Sequence, residues 1–401
     1  MKKLSFFALA AMMVLAACQK QEASKVSLGK DTLQVPLEGV ENTEISVTAN
    51  GAWSIALDDC DWIKLSATSG EGNGSFTVTV SPLEISASSV SSRAANAVVK
   101  NGDAMATLSI VQSAGSLPDE LKSGSFVIEE VFFAGVLPEG AKKGDASDGD
   151  QYIKITNTSS STLYADHLLL CFSSYNSQVS ATGSYWAPKE WPNGYIGIST
   201  MYAIPGKGTD VPVEAGASIV IAISAQDFSE NGGINLSGAD FEIYEDFFGL
   251  DTDNPDVTNL TCVFKASASI VMLHNRGFES YALAKLPEDI TTEAYMETYP
   301  WIGEEDFYLF GEYYKTRDIL AGNYLLPNDW VIDAVNLGIP ADLGTLAFNS
   351  SVDAGYTGCG SIDDDPERYG KSALRKSEGG KLVDTNNSTN DFTRDATPSL
   401  K

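Results

Sequence analysis

Short runs in which apolar and polar residues alternate constrain the fold of this chain more than any other feature. Clear examples are residues 44–48 (EISVT), 76–80 (FTVTV) and 107–111 (TLSIV). Alternation places every second side chain on the same face of an extended strand, and clusters of Gly, Asn, Asp and Ser separate the runs at hairpin spacing. The pattern predicts an all-β protein made of sandwiches, in which each strand buries one face.

A change in composition divides the chain. Residues 115–124 contain Gly115 and Pro118 among polar residues, which is typical of a linker. We therefore predict a small module over residues 26–114 and a larger one over residues 125–401. Each module is long enough to bury its own hydrophobic core.

The small module contains two tryptophan motifs, a glycine-rich turn and a closing strand. In order, they are GAWSI at 51–55, DWIKL at 61–65, SGEGNG at 69–74, Arg93 and IVQ at 110–112. This order resembles the BACON domain, which implies an Ig-like β-sandwich used either to bind glycans or as a spacer. Trp53 and Trp62 are expected to lie in the core of the sandwich, which favours the spacer.

The larger module has motifs of its own. They are FVIEEVFF at 126–133, QYIKITNTS at 151–159, DWVIDAVNLG at 329–338, and SALRK at 372–376 running on to VDTNNSTNDF at 383–392. These resemble the lamin-tail domain of secreted bacterial proteins and, more closely, an uncharacterised family of Bacteroidota outer-membrane lipoproteins, over about residues 126–400. The resemblance implies a second, larger Ig-like sandwich.

Two expectations follow for this lamin-tail-like sandwich. The span between Leu163 and Asp329 is longer than a lamin tail needs, so we expect long loop insertions or added strands there. Within residues 384–391, Asn and Asp side chains are expected to bond the amides of their own loop. Phe392 is expected to close one end of the sandwich.

The N-terminus has the features of a lipoprotein signal peptide. Two lysines precede an apolar run over residues 4–17, which is too short to span a bilayer and ends in the lipobox LAAC. We predict cleavage of residues 1–17, lipidation of Cys18 and a polar tether over residues 18–25. Acyl chains would then hold the protein in the outer membrane; the sequence leaves open whether it faces the cell surface or the periplasm.

Charge and motif content limit the function. With 54 acidic and 26 basic residues, the chain has a formal net charge of -28 at pH 7, which argues against nucleic acid as a partner. It has two histidines and no phosphate-binding loop, G-x-S-x-G or H-E-x-x-H motif. We therefore predict a non-enzyme without catalytic residues.

An aromatic stretch in the larger module is the best candidate binding site. Pro188 and Pro192 argue against a regular helix or a central strand over residues 183–197 (GSYWAPKEWPNGYIG). The large aromatic residues within or just after it are Tyr185, Trp186, Trp191, Tyr195 and Tyr202. Three uses remain open: a platform that stacks on a glycan, a contact patch for another protein, or a cover over a sheet face.

The loop DTDNPD is the best candidate cation site. Asp251, Asp253 and Asp256 supply the carboxylate oxygens that calcium prefers, and a proline stiffens the loop. The spacing of an EF-hand is absent, so a solvated acidic surface is the alternative. We predict no other cofactor.

Four cysteines follow Cys18, without C-x-x-C spacing; they are Cys60, Cys171, Cys262 and Cys359. An exported location permits disulfides, and four cysteines leave three sets of pairings open. Cys171 and Cys262 lie in apolar, strand-like runs and are expected to be buried thiols.

These features predict a non-catalytic outer-membrane lipoprotein. Its expected role is nutrient capture or docking on an outer-membrane uptake receptor. The alternative is a glycan-binding surface protein that uses residues 185–202. The third possibility is a hydrolase whose pair of catalytic carboxylates is not recognisable in the sequence.

Overall fold

The computed structural model describes residues 23–83, 92–113, 121, 124–142, 148–178, 183–246, 248–288 and 290–401. The chain divides into two compact units. The smaller consists of residues up to Pro82 together with Ala94–Gln112, and the larger of Leu83–Arg93 together with Ser113–Lys401.

Some predictions fall outside this part of the chain. They concern the signal peptide over residues 1–17, the lipidation site Cys18 and most of the linker over residues 115–124. Within the described ranges, no helix is both long and apolar enough to cross a membrane.

The smaller unit is built from strands in two sheets. Its strands are β1 (Val26–Leu28), β2 (Thr32–Val35), β3 (Val40–Ala49), β4 (Ala52–Leu57), β5 (Ile63–Leu65), β6 (Ser69–Glu71), β7 (Gly74–Val80), β8 (Ser92–Asn101) and β9 (Ala104–Ser113). One sheet has the order β1-β3-β7-β5 and the other β2-β9-β8-β4-β6. β2 and β9 run parallel.

Alternate residues of both sheets meet in one core. Phe76 from the first sheet and Trp53 from the second are 1% and 5% exposed. Gly70 lies so close to the Trp53 ring that an added Cβ would be 2.3 Å from Cζ2, which explains the glycine at this position. Trp62 packs, partly buried, against the same core. The smaller unit is therefore a two-sheet sandwich in which both tryptophans serve the core.

The larger unit contains more strands and two short helices. The strands are β10 (Phe126–Phe132), β11 (Tyr152–Asn157), β12 (Leu163–Tyr164), β13 (Leu169–Ser173), β14 (Tyr185–Pro188), β15 (Tyr195–Ala203), β16 (Pro212–Val213), β17 (Ser218–Ala222), β18 (Phe241–Glu242), β19 (Thr258–Asn259), β20 (Thr261–Lys265), β21 (Tyr281–Ala284), β22 (Glu304–Leu309), β23 (Glu312–Asp318), β24 (Tyr324–Pro327), β25 (Val331–Val335), β26 (Ser372–Arg375), β27 (Ser377–Glu378), β28 (Lys381–Leu382) and β29 (Phe392–Ala396). The helices are α1 (Thr292–Thr298) and α2 (Ser388–Asp391).

Two large sheets form the sandwich of this unit. The first has the order β19-β18-β17-β11-β10-β26-β29, and the second β20-β15-β13-β21-β25 with β24 paired to β15. Ile155 of the first sheet and Phe172 and Leu283 of the second belong to one core cluster and are at most 1% exposed. The prediction of an all-β chain with two sandwiches is confirmed.

A third sheet, of strands β14, β22 and β23, stands apart from this sandwich. Among the described residues, none from these strands belongs to the main core cluster. β14 is an edge strand that ends at Pro188, as a proline-rich stretch allows. However, β15 begins at Tyr195, three residues after Pro192, and is a central strand. The prediction that residues 183–197 avoid a central strand is therefore wrong at their C-terminal end.

Carboxylates hold the long loops by accepting backbone N–H groups. Asp353 accepts from the amide of Ser388 at 2.7 Å, and Asp391 from the amide of Thr385 at 2.9 Å. Phe392 is 3% exposed within the main core. The structure thus shows the loop capping that the sequence predicts, and it places Phe392 in the main core.

The four cysteines of the described chain are free thiols, so none of the three pairings forms. Cys171 and Cys359 are buried, and Cys60 is partly buried. Cys262 is exposed, which corrects the prediction of a buried thiol. The reason is its place on β20, at the edge of the second sheet.

Candidate functional site

A cavity of about 370 Å³ opens in the larger unit beside the three-stranded sheet. Its walls come from residues 174–178 after β13, residues 274–278 before β21, and the sheet β14-β22-β23. The volume is at the small end of the range for ligand pockets. The lining includes Tyr175, Gln178, Trp186, Glu305, Phe307 and Arg317.

The β22–β23 hairpin places several of these side chains on one face. Its turn, Phe310-Gly311, has φ angles of 53° and 79°, as a type I′ turn requires. In the resulting register Trp186 pairs with Phe307, and Glu305 pairs with Arg317. Residues two apart on a strand share a face, so all four side chains line the cavity together.

A buried carboxylate forms the polar centre of the cavity. Glu305 is 4% exposed and accepts hydrogen bonds from Tyr175 Oη at 2.7 Å and from Arg317 Nε at 2.6 Å. Burial and the hydrogen bond to Glu305 raise the pKa of Tyr175, so the hydroxyl stays protonated and donates. The Arg317 guanidinium carbon lies 3.6 Å from the centre of the Trp186 ring. The polar and aromatic groups therefore hold one another in place.

The packing behind Tyr175 is aromatic. Its ring meets Trp301 edge-on at 5.3 Å and Trp191 at 5.7 Å between ring centres. Trp301 lies against Gly197, where an added Cβ would be 1.9 Å from the ring. A glycine at this position of β15 therefore lets Trp301 support Tyr175.

The wall formed by residues 274–278 carries the positive charge of Arg276, which is paired with a carboxylate. Arg276 lies over the Phe278 ring at 4.9 Å and forms a salt bridge with Asp363 at 3.0 Å. His274 stacks on Phe278 with the ring centres 4.6 Å apart. Burial, and then the charge of Arg276, lower the pKa of His274 to about 4, so the imidazole is neutral at pH 7.

Gln178 adds a hydrogen-bond donor to the lining. It is 5% exposed, and its Oε1 accepts from the backbone N–H of Ile339 at 3.2 Å. Its Nε2 has no partner among the described residues. A buried donor without a partner costs free energy, and this nitrogen is itself shielded from solvent.

The structure separates the aromatic residues predicted as a platform. Tyr185 and Trp186 line the cavity, and Trp191, which is 39% exposed, lines a neighbouring cavity of about 280 Å³. Tyr195 and Tyr202 are 0% and 1% exposed on β15. The Tyr202 ring belongs to the main core cluster, and the Tyr195 ring packs against Tyr299 with the ring centres 6.3 Å apart. The platform prediction is therefore wrong for Tyr195 and Tyr202.

Tyr175, Glu305 and Arg317 lie at the site but were not predicted from the sequence. Tyr175 and Glu305 lie 130 residues apart, and no spacing rule connects them. The sequence does contain a pattern that predicts the positions of Glu305 and Arg317. Residues 304–318 (EEDFYLFGEYYKTRD) are typical of two strands joined by a short turn that contains glycine. Recognising that hairpin would have placed Glu305 and Arg317 opposite each other.

The DTDNPD loop does not assemble a cation site. Asp251 accepts from the backbone N–H of Glu245 at 2.9 Å, and Asp253 from the side-chain amide of Asn259 at 2.9 Å. Both carboxylates therefore stabilise the loop itself. In the part of the chain that the structure describes, no group of three or more His, Cys, Asp or Glu side chains is arranged to hold a metal. This arrangement gives calcium at Asp251, Asp253 and Asp256 no support, and the alternative of a solvated acidic surface stays open.

Solved structures are similar to this chain to different extents. The crystal structure of a DUF4876 family protein from Bacteroides thetaiotaomicron covers 92% of this chain and 97% of its own, with 18% identity and a TM-score of 0.50. A Bacteroides ovatus GH5 xyloglucanase in complex with a XXXG heptasaccharide matches 27% of each chain, with 21% identity and a TM-score of 0.20. The D00-D0 domain of intimin matches 49% of this chain and 98% of its own, with 11% identity and a TM-score of 0.22. The last two scores do not indicate a shared fold.

Sequence comparisons give a narrower result. No curated protein matches the chain. A family model described as "Protein of unknown function (DUF4876)" matches residues 214–399, which include β22, β23 and the C-terminal strands of the sandwich. Residues 214–399 therefore match the model of the DUF4876 family of proteins of unknown function, and the chain shares the fold of a Bacteroides member of that family.

Proposed function

We propose that this protein is a non-catalytic binding protein whose cavity takes a sugar residue of a glycan. The observation that carries the proposal is the assembly of Trp186, Arg317, Glu305 and Tyr175 by direct contacts. A sugar ring has an apolar face and a rim of hydroxyl groups. The cavity offers both complements, an aromatic wall and hydrogen-bonding groups fixed in buried positions.

The chemistry of the cavity supports binding over hydrolysis. Glycoside hydrolysis commonly uses two carboxylates, one on each side of the scissile bond. Among the described residues that line the cavity, the carboxylate is that of Glu305. Both of its oxygens are engaged, one by Tyr175 and the other by Arg317. This arrangement fixes Glu305 as a structural acceptor and leaves it without an acid or base partner.

Replacing Trp186 with alanine is expected to weaken glycan binding by at least about tenfold, the size of a single important aromatic contact. The substitution removes the cavity wall and the surface on which Arg317 lies. Isothermal titration calorimetry against a panel of neutral and acidic polysaccharides measures the loss. Trp186→Phe should retain part of the affinity, because an aromatic face remains.

Tyr164→Ala is the control for this test. Tyr164 lies on β12, is 41% exposed and lines neither this cavity nor the neighbouring one, so its loss should leave the affinity close to that of the unchanged protein. Circular dichroism shows whether each variant keeps its β structure. If Trp186→Ala binds every polysaccharide as well as the unchanged protein does, the cavity is not the binding site.

The resemblances noted in the sequence supply the proposed setting. We propose that Cys18 is lipidated, that the BACON-like smaller unit is a spacer, and that the lamin-tail-like larger unit is the binding end of an outer-membrane lipoprotein. Delivery of the captured glycan to an outer-membrane uptake receptor is part of this proposal. Co-purification with a large membrane receptor from detergent extracts tests that part.

Cys18→Ser is expected to abolish incorporation of a labelled palmitate analogue and to release the protein from the membrane fraction, because the thiol that carries the lipid is lost. Metabolic labelling followed by cell fractionation measures both effects. Proteinase treatment of intact cells distinguishes the cell surface from the periplasm. Label retained in Cys18→Ser would contradict the anchor.

A further inference from the structure

We infer that the cavity takes a neutral oligosaccharide whose chain leaves the cavity across Tyr314. This inference rests on the proposed function and adds the charge and the length of the ligand. It depends on two observations: how the charges in the lining are paired, and where the aromatic wall continues.

The arginines of the lining already have carboxylate partners. Arg317 Nε donates to Glu305 at 2.6 Å, and Arg276 lies 3.0 Å from Asp363. His274 is neutral at pH 7 because its environment lowers its pKa to about 4. A ligand carboxylate would have to compete with Glu305 or Asp363 for its partner. A neutral ligand rich in hydroxyl groups bonds the same groups without breaking either pair.

The aromatic wall continues from the cavity to the outer part of the hairpin. Trp186 contacts Phe307 with ring centres 4.9 Å apart, and Phe307 meets Tyr314 edge-on at 6.1 Å. Tyr314 is 62% exposed and is not part of the cavity lining. Because the cavity is at the small end for ligand pockets, a chain longer than it can hold would pass over Tyr314.

The neighbouring tyrosine provides a control built into the same strand. Tyr313 is 58% exposed, close to the exposure of Tyr314, but its ring contacts Tyr308 at 6.4 Å. Tyr308 is stacked at 4.7 Å on Tyr185, which also lines the cavity, so Tyr313 ends a second aromatic series that the same test compares with the Tyr314 series. Tyr313 and Tyr314 therefore have the same side chain and similar exposure, but Tyr314 contacts Phe307 whereas Tyr313 contacts Tyr308.

The test uses the full-length protein in detergent and isothermal titration calorimetry. The probes are β-1,4-linked glucose, xylose and mannose oligosaccharides of two to six units, and galacturonate oligosaccharides of the same lengths. One neutral series should bind about tenfold more tightly at four units than at two, and the galacturonates should bind more weakly. Tyr314→Ala should lower the affinity for the four-unit sugar about 3- to 10-fold and leave the two-unit sugar unchanged. Tyr313→Ala should change neither.

The outcomes separate this inference from the proposed function. Equal affinity for two and four units, with binding still lost in Trp186→Ala, would overturn the path across Tyr314 and retain the cavity as a sugar site. Tighter binding of galacturonates would overturn the neutral ligand. Loss of a co-purifying receptor in Tyr314→Ala, with glycan affinity intact at every length, would assign Tyr314 to a protein contact instead. No Trp186-dependent binding of any probe would overturn both proposals.

Discussion

Replacing Arg375 with alanine is expected to lower the free energy of unfolding of the larger unit by about 3–5 kcal/mol, as for other broken buried ion pairs. The Arg375 side chain is 1% exposed and donates to Asp333 Oδ2 at 2.5 Å and to the carbonyl oxygens of Ile128 and Val383. Its removal leaves the Asp333 carboxylate buried beside unpaired carbonyl groups. Urea unfolding followed by tryptophan fluorescence gives the change in midpoint and slope.

Lys189→Ala is the control for the Arg375 experiment. Lys189 and Glu304 form a salt bridge of 2.8 Å whose side chains are 41% and 56% exposed, so its loss should leave the midpoint unchanged. Arg375→Met combined with Asp333→Asn removes both charges and should recover part of the lost stability. If Arg375→Ala costs less than about 1 kcal/mol, the pair does not behave as a desolvated ion pair.

Replacing Trp330 with alanine is expected to cost about 3–5 kcal/mol, because a large buried ring leaves a cavity that its neighbours fill only in part. Trp330 is 0% exposed. Its ring meets Tyr299 edge-on at 5.2 Å and lies 6.2 Å from Tyr295, measured between ring centres. Thermal and urea unfolding of the same variant should agree on the loss.

Trp191→Ala is the control for this second substitution, since it deletes the same side chain at a site that is 39% exposed. We expect a clearly smaller loss, because less apolar surface is removed from a packed environment. Trp330→Phe should fall between the two. Equal losses in Trp330→Ala and Trp191→Ala would show that Trp330 does not anchor the core.

The fold of the smaller unit was predictable because its long strands bury one face, as β7 and β8 show. The runs at 44–48, 76–80 and 107–111 lie within β3, β7 and β9 of the smaller unit. β15 shows the limit of this reasoning, since seven of its nine residues are buried and it shows no clean alternation. Aromatic content alone did not distinguish Tyr195, which is interior, from Trp186, which lines the cavity.

The candidate site was predictable only in part. Tyr185 and Trp186 were identified because aromatic residues concentrate in their segment. Tyr175 and Glu305 were not, because their contact depends on long-range strand pairing that local sequence does not specify. A calcium site was predicted at the acidic loop 251–256 because sequence does not show what a carboxylate binds. Asp251 and Asp253 accept hydrogen bonds from amide groups, and the same residues in sequence are equally typical of metal ligands.

The separation of β14, β22 and β23 from the main core has an evolutionary consequence. Substitutions on these strands change the lining of the cavity without changing a residue of the main core cluster. Under the proposed function, ligand preference can therefore change among related proteins while the core of the sandwich stays the same. The same independence makes the hairpin a natural place to graft new specificities onto an unchanged scaffold.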